Sequence, residues 1–552
     1  MSDAEKTVSP ATNETKLKKR SWRWRFFRFV VVSFAALVTL FVLFHAVENW
    51  RGKRAWEQYR KEQEAKGVSF DFNSVVPPPV PDEQNFAMTP LLKPLLDLNP
   101  PGFHPRQKDS NGVARANSIS GLMPLPINAA TNWIHSRSWR LGNRLNLEGW
   151  QQDIFASTNL QHRAEMSTPA EDVLYALKQH DTALSELLMA SQTRPLSRFN
   201  VNYEEESKPA ILLPHLAPVK NMVEVLRMRA IASLAAGKNE SAFADVNLML
   251  RLTESIESEP FLISKLVRIA CVEMSVTAIW EGLAGHSWTE GQLKALQIRL
   301  SSCDLIKDGW HGFEGERQAG NHTIEFLRKY PHMMGRIGYN SGGVNWPYAG
   351  GGERHWFKLI PSGWFYFEQV NYNTAYENFI MAAASRSKDQ LDLKKLKETS
   401  KAMERELADR NPWKAISRHR VLSHLLLPWV KNFAQKSVYA QSTIDMAIVA
   451  IGLEHYYLKH QGYPASLDAL VPDYVPVLPH DIAVKSPFKY ERQSKEAFRL
   501  WSVGWNQKDD GGVLVMGTGN ATVIKLEEGD WIWPRVEKAT AAKPTAPAGA
   551  FE

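Results

Sequence analysis

The hydrophobic positions of this chain begin with one uninterrupted apolar run. Residues 29–47, FVVVSFAALVTLFVLFHAV, contain no charged residue. A helix rises about 1.5 Å per residue, so this run is long enough to cross the hydrocarbon core of a bilayer. Cleavable signal peptides usually have a shorter apolar region that ends at a small-residue cleavage site, and the following HAVENWRGKR shows none. The run therefore predicts an uncleaved transmembrane signal anchor.

Polar residues dominate residues 48–167, which follow the anchor. The first part, up to Gly67, is rich in charge and predicts a helix that continues out of the bilayer. Residues 75–105 then contain proline after proline, which excludes a helix or a central strand. We expect this stretch to be an extended spacer that separates the anchor from the folded part of the chain.

Apolar residues recur at helical spacing through residues 168–440 and predict an α-helical domain there. Ser167 or Thr168 begins one helix in a capping pattern with Glu171. Small and large residues follow the order of a tetratricopeptide-like hairpin at Ala230, Leu234, Gly237, Ala242 and Leu250. Because this pattern does not repeat at a period of about 34 residues, it is more typical of an irregular helical domain than of a peptide-binding solenoid.

Residues 335–364 interrupt the helical pattern with a segment rich in glycine and aromatic residues. Long irregular segments inside compact domains are often functional. Trp346, Tyr348 and Trp356 could therefore line a binding loop or lid, and a flexible insertion accounts for the composition equally well.

The C-terminal part mixes helix and strand signals. Apolar residues from Ile444 to Leu458 line one side of a helix, and residues 488–501 alternate as a β-hairpin does. We predict a small α+β module at residues 441–534 and a disordered tail at 535–552. The predicted fold class is thus mostly α, with an N-terminal transmembrane helix, an α-helical domain and this C-terminal module.

Charge gives the anchor a direction. Residues 1–28 carry eight basic and three acidic residues, which account for most of the net charge of +7. The rest of the chain is nearly neutral, so nucleic-acid binding is not indicated. The basic tail favours a single-pass protein of the bacterial inner membrane, with a cytoplasmic N-terminus and the bulk of the chain periplasmic or extracytoplasmic. Six basic residues between positions 51 and 66 weaken this orientation, and a buried helix of a soluble core is the alternative.

The cysteine content does not indicate a metal or redox centre. Cys271 and Cys303 are the only cysteines, and their spacing matches neither a redox pair nor a zinc site. Two buried thiols, or one disulfide between neighbouring helices, both agree with this spacing.

The strongest candidate for catalysis lies between residues 310 and 332. His311 precedes Glu314 by three residues, His322 precedes Glu325 by three, and the pairs are eleven residues apart. On one helix, all four side chains would share a face and could bind a metal or act as acid and base. Glycines at positions 312, 315 and 320 make a continuous helix costly, so surface or capping roles are the alternative.

A second polar cluster contains Arg194, Arg198, Tyr203 and His215 in a proline-punctuated segment. These residues could bind an anionic ligand, but such groups more often fix a loop through charge-assisted hydrogen bonds. The sequence contains no phosphate-binding loop, nucleophile elbow, dinucleotide fingerprint, zinc-protease motif or kinase signature.

A linked series of motifs marks the C-terminal module. A helix is followed by GYPASLDALVPDYVPVLPHD, then by a hairpin, and then by SVGWNQKDDGG. Its marker positions are Tyr463, Pro464, Leu467, Leu470, Pro479, Asp481, Tyr490, Ser502, Val503, Gly504, Asp509, Asp510, Gly511 and Gly512. Over residues 442–534 this series resembles the globular domain of the major pseudopilin of type II secretion systems.

The resemblance implies a metal site. In that family the last loop binds calcium through aspartates and backbone carbonyls, so Asp509 and Asp510 would be Ca²⁺ ligands, with Asp530 as a third. Lys508 beside the aspartates, and the strong turn preference of Asp-Gly, favour a plain turn instead.

The anchor departs from the pseudopilin pattern. A pseudopilin has a prepilin-peptidase site before its apolar helix, a glutamate shortly inside that helix, and a folded domain directly after it. Here residues 29–47 contain no glutamate, and about 400 residues separate them from the module. The layout resembles single-pass bacterial envelope proteins. We therefore expect a protein-binding or scaffold component of the envelope, with secretion components among its partners. The alternative is an extracytoplasmic metal-dependent or acid–base hydrolase that uses His311, Glu314, His322 and Glu325.

Overall fold

A computed structural model describes residues 14–98, 107–119, 138–157, 167–206, 208, 211–334, 359–408, 412–427, 430–517 and 524–535. The described residues are mostly helical, and their strands lie near the C-terminus. This confirms the predicted fold class at the level of a mostly α chain with a long apolar N-terminal helix and a small strand-containing C-terminal region.

The helices are numbered in chain order. They are α1 (Glu14–Glu64), α2 (Ser110–Ser118), α3 (Leu147–Ser157), α4 (Pro169–Leu177), α5 (Asp181–Thr193), α6 (Leu216–Ala235), α7 (Asn239–Glu254), α8 (Leu262–Ala284), α9 (Glu290–Ser301), α10 (Leu305–Lys329), α11 (Ser362–Tyr376), α12 (Leu393–Ala408), α13 (Pro412–Ser417), α14 (Val421–Leu426) and α15 (Val430–His460). The strands are β1 (His480–Asp481), β2 (Ser486–Pro487), β3 (Lys489–Ser494), β4 (Ala497–Ser502), β5 (Leu514–Met516), β6 (Ile524–Gly529) and β7 (Trp531–Trp533).

The chain divides into two compact units. The first, which we call the anchor unit, comprises Met1–Phe70, Ile324–Tyr372 and Asn411–Leu425. The second, which we call the large unit, comprises Asp71–Thr323, Asn373–Arg410 and Leu426–Glu552.

Helix α1 organises the anchor unit. It runs without a break from the basic tail through the predicted span to Glu64. Among the described residues it is the one helix long and apolar enough to cross a membrane, and none of its apolar stretch is buried. Gly67, with a φ of +84°, follows the helix end at the position where the sequence predicts a stop.

Local sequence signals account for several helices of the large unit. Helices α6 and α7 form the predicted hairpin, in which Gly237 supplies the positive φ of the turn and the fully buried Ala230 and Ala242 let the helices approach closely. Thr168 caps α4 in a capping box with Glu171, as the sequence predicts.

The C-terminal region contains a three-stranded antiparallel sheet with the order β3-β4-β7 and two two-stranded sheets, β1-β2 and β5-β6. Tyr490 pairs with Leu500 across the predicted hairpin, and Trp501 pairs with Ile532 on the other side. The predicted hairpin at residues 488–501 is therefore present.

The C-terminal region shares its core with the helical region. Helix α15 packs against α8, α9 and strand β7, and it crosses the predicted boundary between residues 168–440 and 441–534. The indole N–H of Trp280 donates to the Pro534 carbonyl at 2.9 Å, and Trp139 packs against Trp533. One compact unit therefore holds most of both predicted domains.

The proline-rich stretch is packed, which corrects the expectation of an extended spacer within 48–167. Phe86, Leu91 and Leu92 are fully buried between its prolines. The Phe86 N–H donates to the Leu196 carbonyl at 2.8 Å, and the Asn85 amide donates to the Arg198 carbonyl at the same distance. Prolines exclude regular structure, but the apolar residues among them still supply a surface that buries against the helices.

Some predicted features lie outside the described residues. Of the glycine-rich insertion at 335–364, residues 335–358 are not described, and these include Trp346, Tyr348 and Trp356. The predicted tail at 535–552 is described only at Arg535, and the basic tail at 1–28 only from residue 14.

Candidate functional site

The anchor unit contains a close contact that we call the anchor seam, formed by Glu48, Asn49 and Gly52 of α1 with Ser362, Gly363 and Trp364 of α11. The two glycines allow the backbones to touch. A Cβ atom on Gly363 would lie well within 3.0 Å of the Glu48 carbonyl oxygen, and a Cβ on Gly52 would lie equally close to the Gly363 carbonyl. No other residue type fits either position without separating the helices.

Asn49 caps helix α11 from the neighbouring helix. Its side-chain oxygen accepts hydrogen bonds from the Gly363 N–H at 2.8 Å and from the Ser362 hydroxyl at 3.1 Å. The first N–H groups of a helix have no partner within the helix, so an external acceptor stabilises the helix start. The seam therefore fixes where α11 begins against α1.

Glu48 is buried on the same side of α1. Its carboxylate accepts hydrogen bonds from Arg51 at 2.6 Å and from the Trp364 indole N–H at 3.2 Å. The Trp364 ring also lies edge-on to Phe44, inside the predicted span, with ring centroids 6.4 Å apart. Side chains at the end of the apolar run are thus in direct contact with α11.

A turn between α13 and α14 completes the anchor unit. The Asn371 amide donates to the carbonyls of Arg418 and His419 at 2.9 and 2.8 Å. This holds His419 at a φ of +52°, with its ring stacked on Phe367 and tilted against Trp364 at centroid distances of 4.9 and 5.0 Å. The turn therefore lies beside the anchor seam.

Glu368 of α11 caps the start of α14. Its carboxylate accepts from the N–H groups of Val421 and Leu422 at 2.7 and 3.0 Å. Burial raises the pKa of this carboxyl to about 7, against the lowering effect of the backbone donors.

This raised pKa predicts a pH-dependent stability of the anchor unit. The folded state keeps a proton that the unfolded state loses above about pH 4.5, so this group destabilises the unit as pH rises toward 7, by roughly 3 kcal/mol in total. We expect Glu368→Gln to reduce this loss of stability. Hydrogen exchange of the α14 amides, corrected for the intrinsic pH dependence of exchange, measures the stability at each pH. Glu62→Gln, on the exposed face of α1, is the control. An unchanged pH slope in Glu368→Gln would rule out this carboxyl as its source.

The C-terminal loop brings together the three predicted calcium ligands. Asp530 accepts the N–H groups of Asp510 at 3.1 Å, Gly512 at 2.6 Å and Val513 at 3.3 Å. Its pKa is raised, with burial as the largest cause, although the backbone donors act in the opposite direction. Asp530, which lies between β6 and β7, therefore holds the backbone of the loop at residues 510–513 in place.

Protein donors already surround these carboxylates. Asp509 accepts from the Trp501 indole at 3.1 Å and pairs with Lys489 at 3.1 Å. Asp510 accepts from the Asn506 amide at 2.8 Å, and the Lys508 ammonium lies 3.4 Å from its other oxygen. Among the described residues, no group of three or more His, Cys, Asp or Glu side chains is arranged to hold a metal ion. Two ammonium groups would have to move before Ca²⁺ could bind through Asp509 and Asp510.

Calcium binding stays a prediction of the pseudopilin resemblance. Because a cation must displace Lys489 and Lys508, we expect a Lys489→Gln/Lys508→Gln variant to bind Ca²⁺ at least tenfold more tightly than the unmodified chain. Isothermal calorimetry measures both affinities, with Asp509→Ala/Asp510→Ala as the control that removes the ligands. Absence of binding in the lysine variant would leave the loop as a turn alone.

Asp530 also predicts a stability effect that needs no metal. Asp530→Ala leaves three part-buried N–H groups without their acceptor, and we expect local opening of residues 510–516 to become about 3 kcal/mol easier. Asp509→Ala, at a side chain 40% exposed, should change this by less than about 1 kcal/mol. Hydrogen exchange of these amides distinguishes the variants, and equal effects would contradict the structural role of Asp530.

The four candidate catalytic residues lie on one continuous helix, α10. The glycines do not break it because they allow close packing: a Cβ on Gly315 would lie well within 3.0 Å of the Pro260 carbonyl oxygen, and one on Gly312 would touch Leu262. The single helix that the catalytic hypothesis requires is therefore present, although its glycines were expected to disfavour it. Gly312 and Gly315 lie where α10 packs against the segment at 260–262.

The side chains of these four residues have separate partners. His311 lies 3.2 Å from the Ser258 carbonyl, and burial, together with the nearby Lys265 charge, lowers its pKa. Glu314 pairs with Arg317 at 2.7 Å, although burial raises its pKa. The His322 ring packs edge-on against Phe72, and Glu325 pairs with Arg328 at 2.6 Å. Glu325 belongs to the anchor unit and the other three residues to the large unit. These contacts give structural roles to the side chains, and a catalytic role stays a prediction.

The second polar cluster fixes loops. Arg194 donates to the carbonyls of Asp82 and Asn85 at 2.5 and 3.1 Å, and Arg198 donates to the Pro77 carbonyl at 3.0 Å. These bonds tie the proline-rich stretch to the helices, which is the structural alternative considered for this cluster.

His215 lies in a buried polar network. It lies 2.5 Å from a Glu259 oxygen, and the Ser264 hydroxyl donates to the same carboxylate. The carboxylate thus joins the histidine to the serine, so the imidazole is not placed to take the serine proton as a catalytic base would. All three side chains are buried, and Phe199 covers the His215 ring.

Both cysteines are free thiols. Cys271 is fully buried, and burial raises its pKa to about 12. Burial also raises the pKa of Cys303. The two cysteines are therefore separate thiols of low reactivity and do not form a disulfide.

The anchor seam is the feature of this candidate site that sequence reasoning missed. Its two halves are more than 300 residues apart, and neither resembles a motif. The one sequence signal that could have indicated the seam was the pair of polar residues, Glu48 and Asn49, directly after the apolar run. Comparisons with protein-family models, with curated proteins and with solved structures gave no match.

Proposed function

We propose that this chain is a single-pass envelope protein of the bacterial inner membrane, anchored by residues 29–47, that binds other proteins outside the cytoplasm. One observation carries the membrane part: the apolar stretch of α1 is long enough to span a bilayer and none of it is buried. A helix of this composition that has no protein cover needs lipid around it. The basic residues before the span favour a cytoplasmic N-terminus.

Three exposed apolar side chains of the large unit motivate the protein-binding proposal: Ile298, Val471 and Val477, which we call the apolar patch. These side chains are 63%, 41% and 76% exposed. They lie on neighbouring segments, because Gln297, next to Ile298, donates its amide to the Tyr474 carbonyl at 3.0 Å. Contiguous exposed apolar groups mark protein-interaction surfaces, and we infer that these three side chains contribute to one such surface.

The hydrolase alternative has no such support among the described contacts. His311, Glu314 and Glu325 each interact with a group of the protein itself. The proposed link to secretion components rests on the sequence resemblance of residues 442–534 alone.

Site-specific photo-cross-linking in cells tests the binding proposal. A photoreactive amino acid at Ile298 or Val477 should form a discrete adduct of higher mass, whereas one at Lys178, an exposed polar position of the large unit, should not. The matched position controls for random collision with abundant proteins. Equal or absent adducts at all three positions would contradict binding through this patch.

A further inference from the structure

The chain enters helix α11 beside the end of the membrane span, through residues 359–364, which we call the entry segment. This inference rests on the proposed membrane anchoring. Asn49 caps α11 through Ser362 and Gly363, and it follows the last residue of the apolar run, Val47, by about 3 Å of helix rise. The polar layer on each side of the hydrocarbon core is roughly 5–8 Å thick. The first residues of α11 therefore lie within that layer.

One side chain of the entry segment touches the span itself. The Trp364 ring lies edge-on to the ring of Phe44, with centroids 6.4 Å apart, and Phe44 is three residues inside the apolar run. Helical side chains lean toward the helix N-terminus, so the Phe44 ring lies deeper than its backbone. The Trp364 indole N–H meanwhile donates to the buried Glu48 carboxylate. Carbon atoms against the span and a hydrogen-bonded nitrogen are the arrangement of a tryptophan at a membrane interface.

Protein cover on α1 begins at the same depth. Residues 34–44 are exposed, whereas His45 and Asn49 are half-buried and Glu48 and Gly52 are buried. These four residues share one side of the helix, because they are three or four positions apart. His45 lies two residues before the end of the apolar run. The contact with α11 thus begins at the boundary between hydrocarbon and headgroups.

An exposed leucine lies close to this boundary. Leu359 is 64% exposed, and Ile360 beside it is half-buried. An extended chain spans at most about 3.6 Å per residue, so the Leu359 Cα lies within about 11 Å of the Ser362 Cα. A large apolar side chain in water is unfavourable, and the edge of the hydrocarbon core would remove it from water.

The entry segment can approach hydrocarbon without burying an unpaired charge. Residues 359–364 contain no charged residue. The Ser362 hydroxyl and the Gly363 N–H donate to Asn49, and the Glu48 carboxylate pairs with Arg51 at 2.6 Å. Unpaired charges and unsatisfied polar groups are what the membrane excludes.

We propose that the entry segment forms a second contact with the bilayer, in which Leu359 and the Trp364 ring insert at the boundary of hydrocarbon and headgroups. Lipid is the occupant of this surface because the surface is continuous with the span through the contact between Trp364 and Phe44. The two membrane contacts come from segments more than 300 residues apart in the chain. Together they fix the tilt and rotation of α1, which the length of a single span does not determine.

Nitroxide accessibility in nanodiscs tests this proposal. The full chain carries a spin label at Leu359→Cys, at Val42→Cys in the exposed part of the span, or at Glu62→Cys, and is placed in phosphatidylcholine nanodiscs. The pKa of each native thiol, Cys271 and Cys303, is raised, so the label attaches to the introduced cysteine. Collision rates with oxygen, which concentrates in hydrocarbon, and with a water-soluble nickel chelate give the depth of each label.

The two other labels supply the references for depth. Glu62 is exposed and lies about 22 Å beyond Val47 along the helix, so its label reports water. Val42 lies inside the span, so its label reports hydrocarbon. We expect the ratio of oxygen to nickel collisions at Leu359→Cys to shift from the value at Glu62→Cys toward the value at Val42→Cys. Hydrogen exchange of the α11 amides should match that of the unmodified chain, because the Leu359 side chain is exposed.

The possible outcomes separate this proposal from the anchoring proposal. A chain that does not enter nanodiscs, or a Val42→Cys label that reports water, would overturn membrane anchoring and this proposal with it. A Leu359→Cys label with the ratio found at Glu62→Cys would overturn the second contact alone. Low collision rates with both reagents at Leu359→Cys would mean that protein covers this position, and would overturn lipid as the occupant.

Discussion

Replacing Gly363 by alanine is expected to separate α11 from the anchor helix. The added Cβ would fall well within 3.0 Å of the Glu48 carbonyl oxygen, and both atoms belong to the backbone or are fixed by it, so neither can rotate away. Separation also removes the Asn49 cap and the contact between Glu48 and Trp364. Overpacking costs about 1–3 kcal/mol and loss of a cap about 1 kcal/mol, so we expect a total near 3 kcal/mol.

Hydrogen exchange of the full chain in detergent measures this effect. The amides of residues 364–372 should exchange about 100-fold faster in Gly363→Ala, because each 1.4 kcal/mol changes an equilibrium constant tenfold. Gly291→Ala on α9 is the matched control, since a Cβ atom added there would have no neighbouring atom within 4 Å. That substitution should be neutral or slightly stabilising. Unchanged exchange in Gly363→Ala would show that the seam does not hold α11.

Gly315→Ala is expected to disrupt the large unit by the same mechanism. A Cβ at this position would fall well within 3.0 Å of the Pro260 carbonyl oxygen. Helix α10 would have to move away from the segment that precedes α8, and the 3.1 Å hydrogen bond from the Leu262 N–H to the half-buried Glu316 carboxylate would weaken. We expect a loss of at least about 3 kcal/mol of local stability.

The amides of α8 and the first half of α10 report on this change. They should exchange at least about 100-fold faster in Gly315→Ala, while Gly291→Ala again serves as the control. Equal exchange in the two variants would mean that α10 can shift without penalty, and that its glycines are not needed for packing.

Local signals in the sequence predict local structure in this protein. The capping box at Thr168, the turn at Gly237 and the apolar run at 29–47 each involve residues close together in the chain, and each is present in the structure. The hairpin at 488–501 is likewise local. Patterns of this kind determine which helices and strands form.

Contacts between distant segments were not predictable in this way. Asn49 and Gly363 are 314 residues apart, and the Asn85 amide bonds to Arg198 across 113 residues. A proline-rich composition indicates an irregular backbone, but it does not show whether that backbone packs against helices or extends into solvent. The two histidines of α10 illustrate the same limit. Periodicity placed His311 and His322 on one helix, but the groups they contact, the Ser258 carbonyl and the Phe72 ring, come from other segments.

The most direct test of membrane anchoring is the accessibility of single cysteines on the two sides of the membrane. Cys271 is buried, Cys303 is half-buried, and the pKa of each thiol is raised, so neither should react with an impermeant maleimide at neutral pH. We predict that Lys178→Cys is labelled in intact spheroplasts, and that Ser9→Cys is labelled only after lysis, with the chain resisting alkaline carbonate extraction. Labelling of Ser9→Cys before lysis, with Lys178→Cys protected, would contradict folded units that lie outside the cytoplasm. Release of the chain by carbonate would contradict membrane anchoring itself.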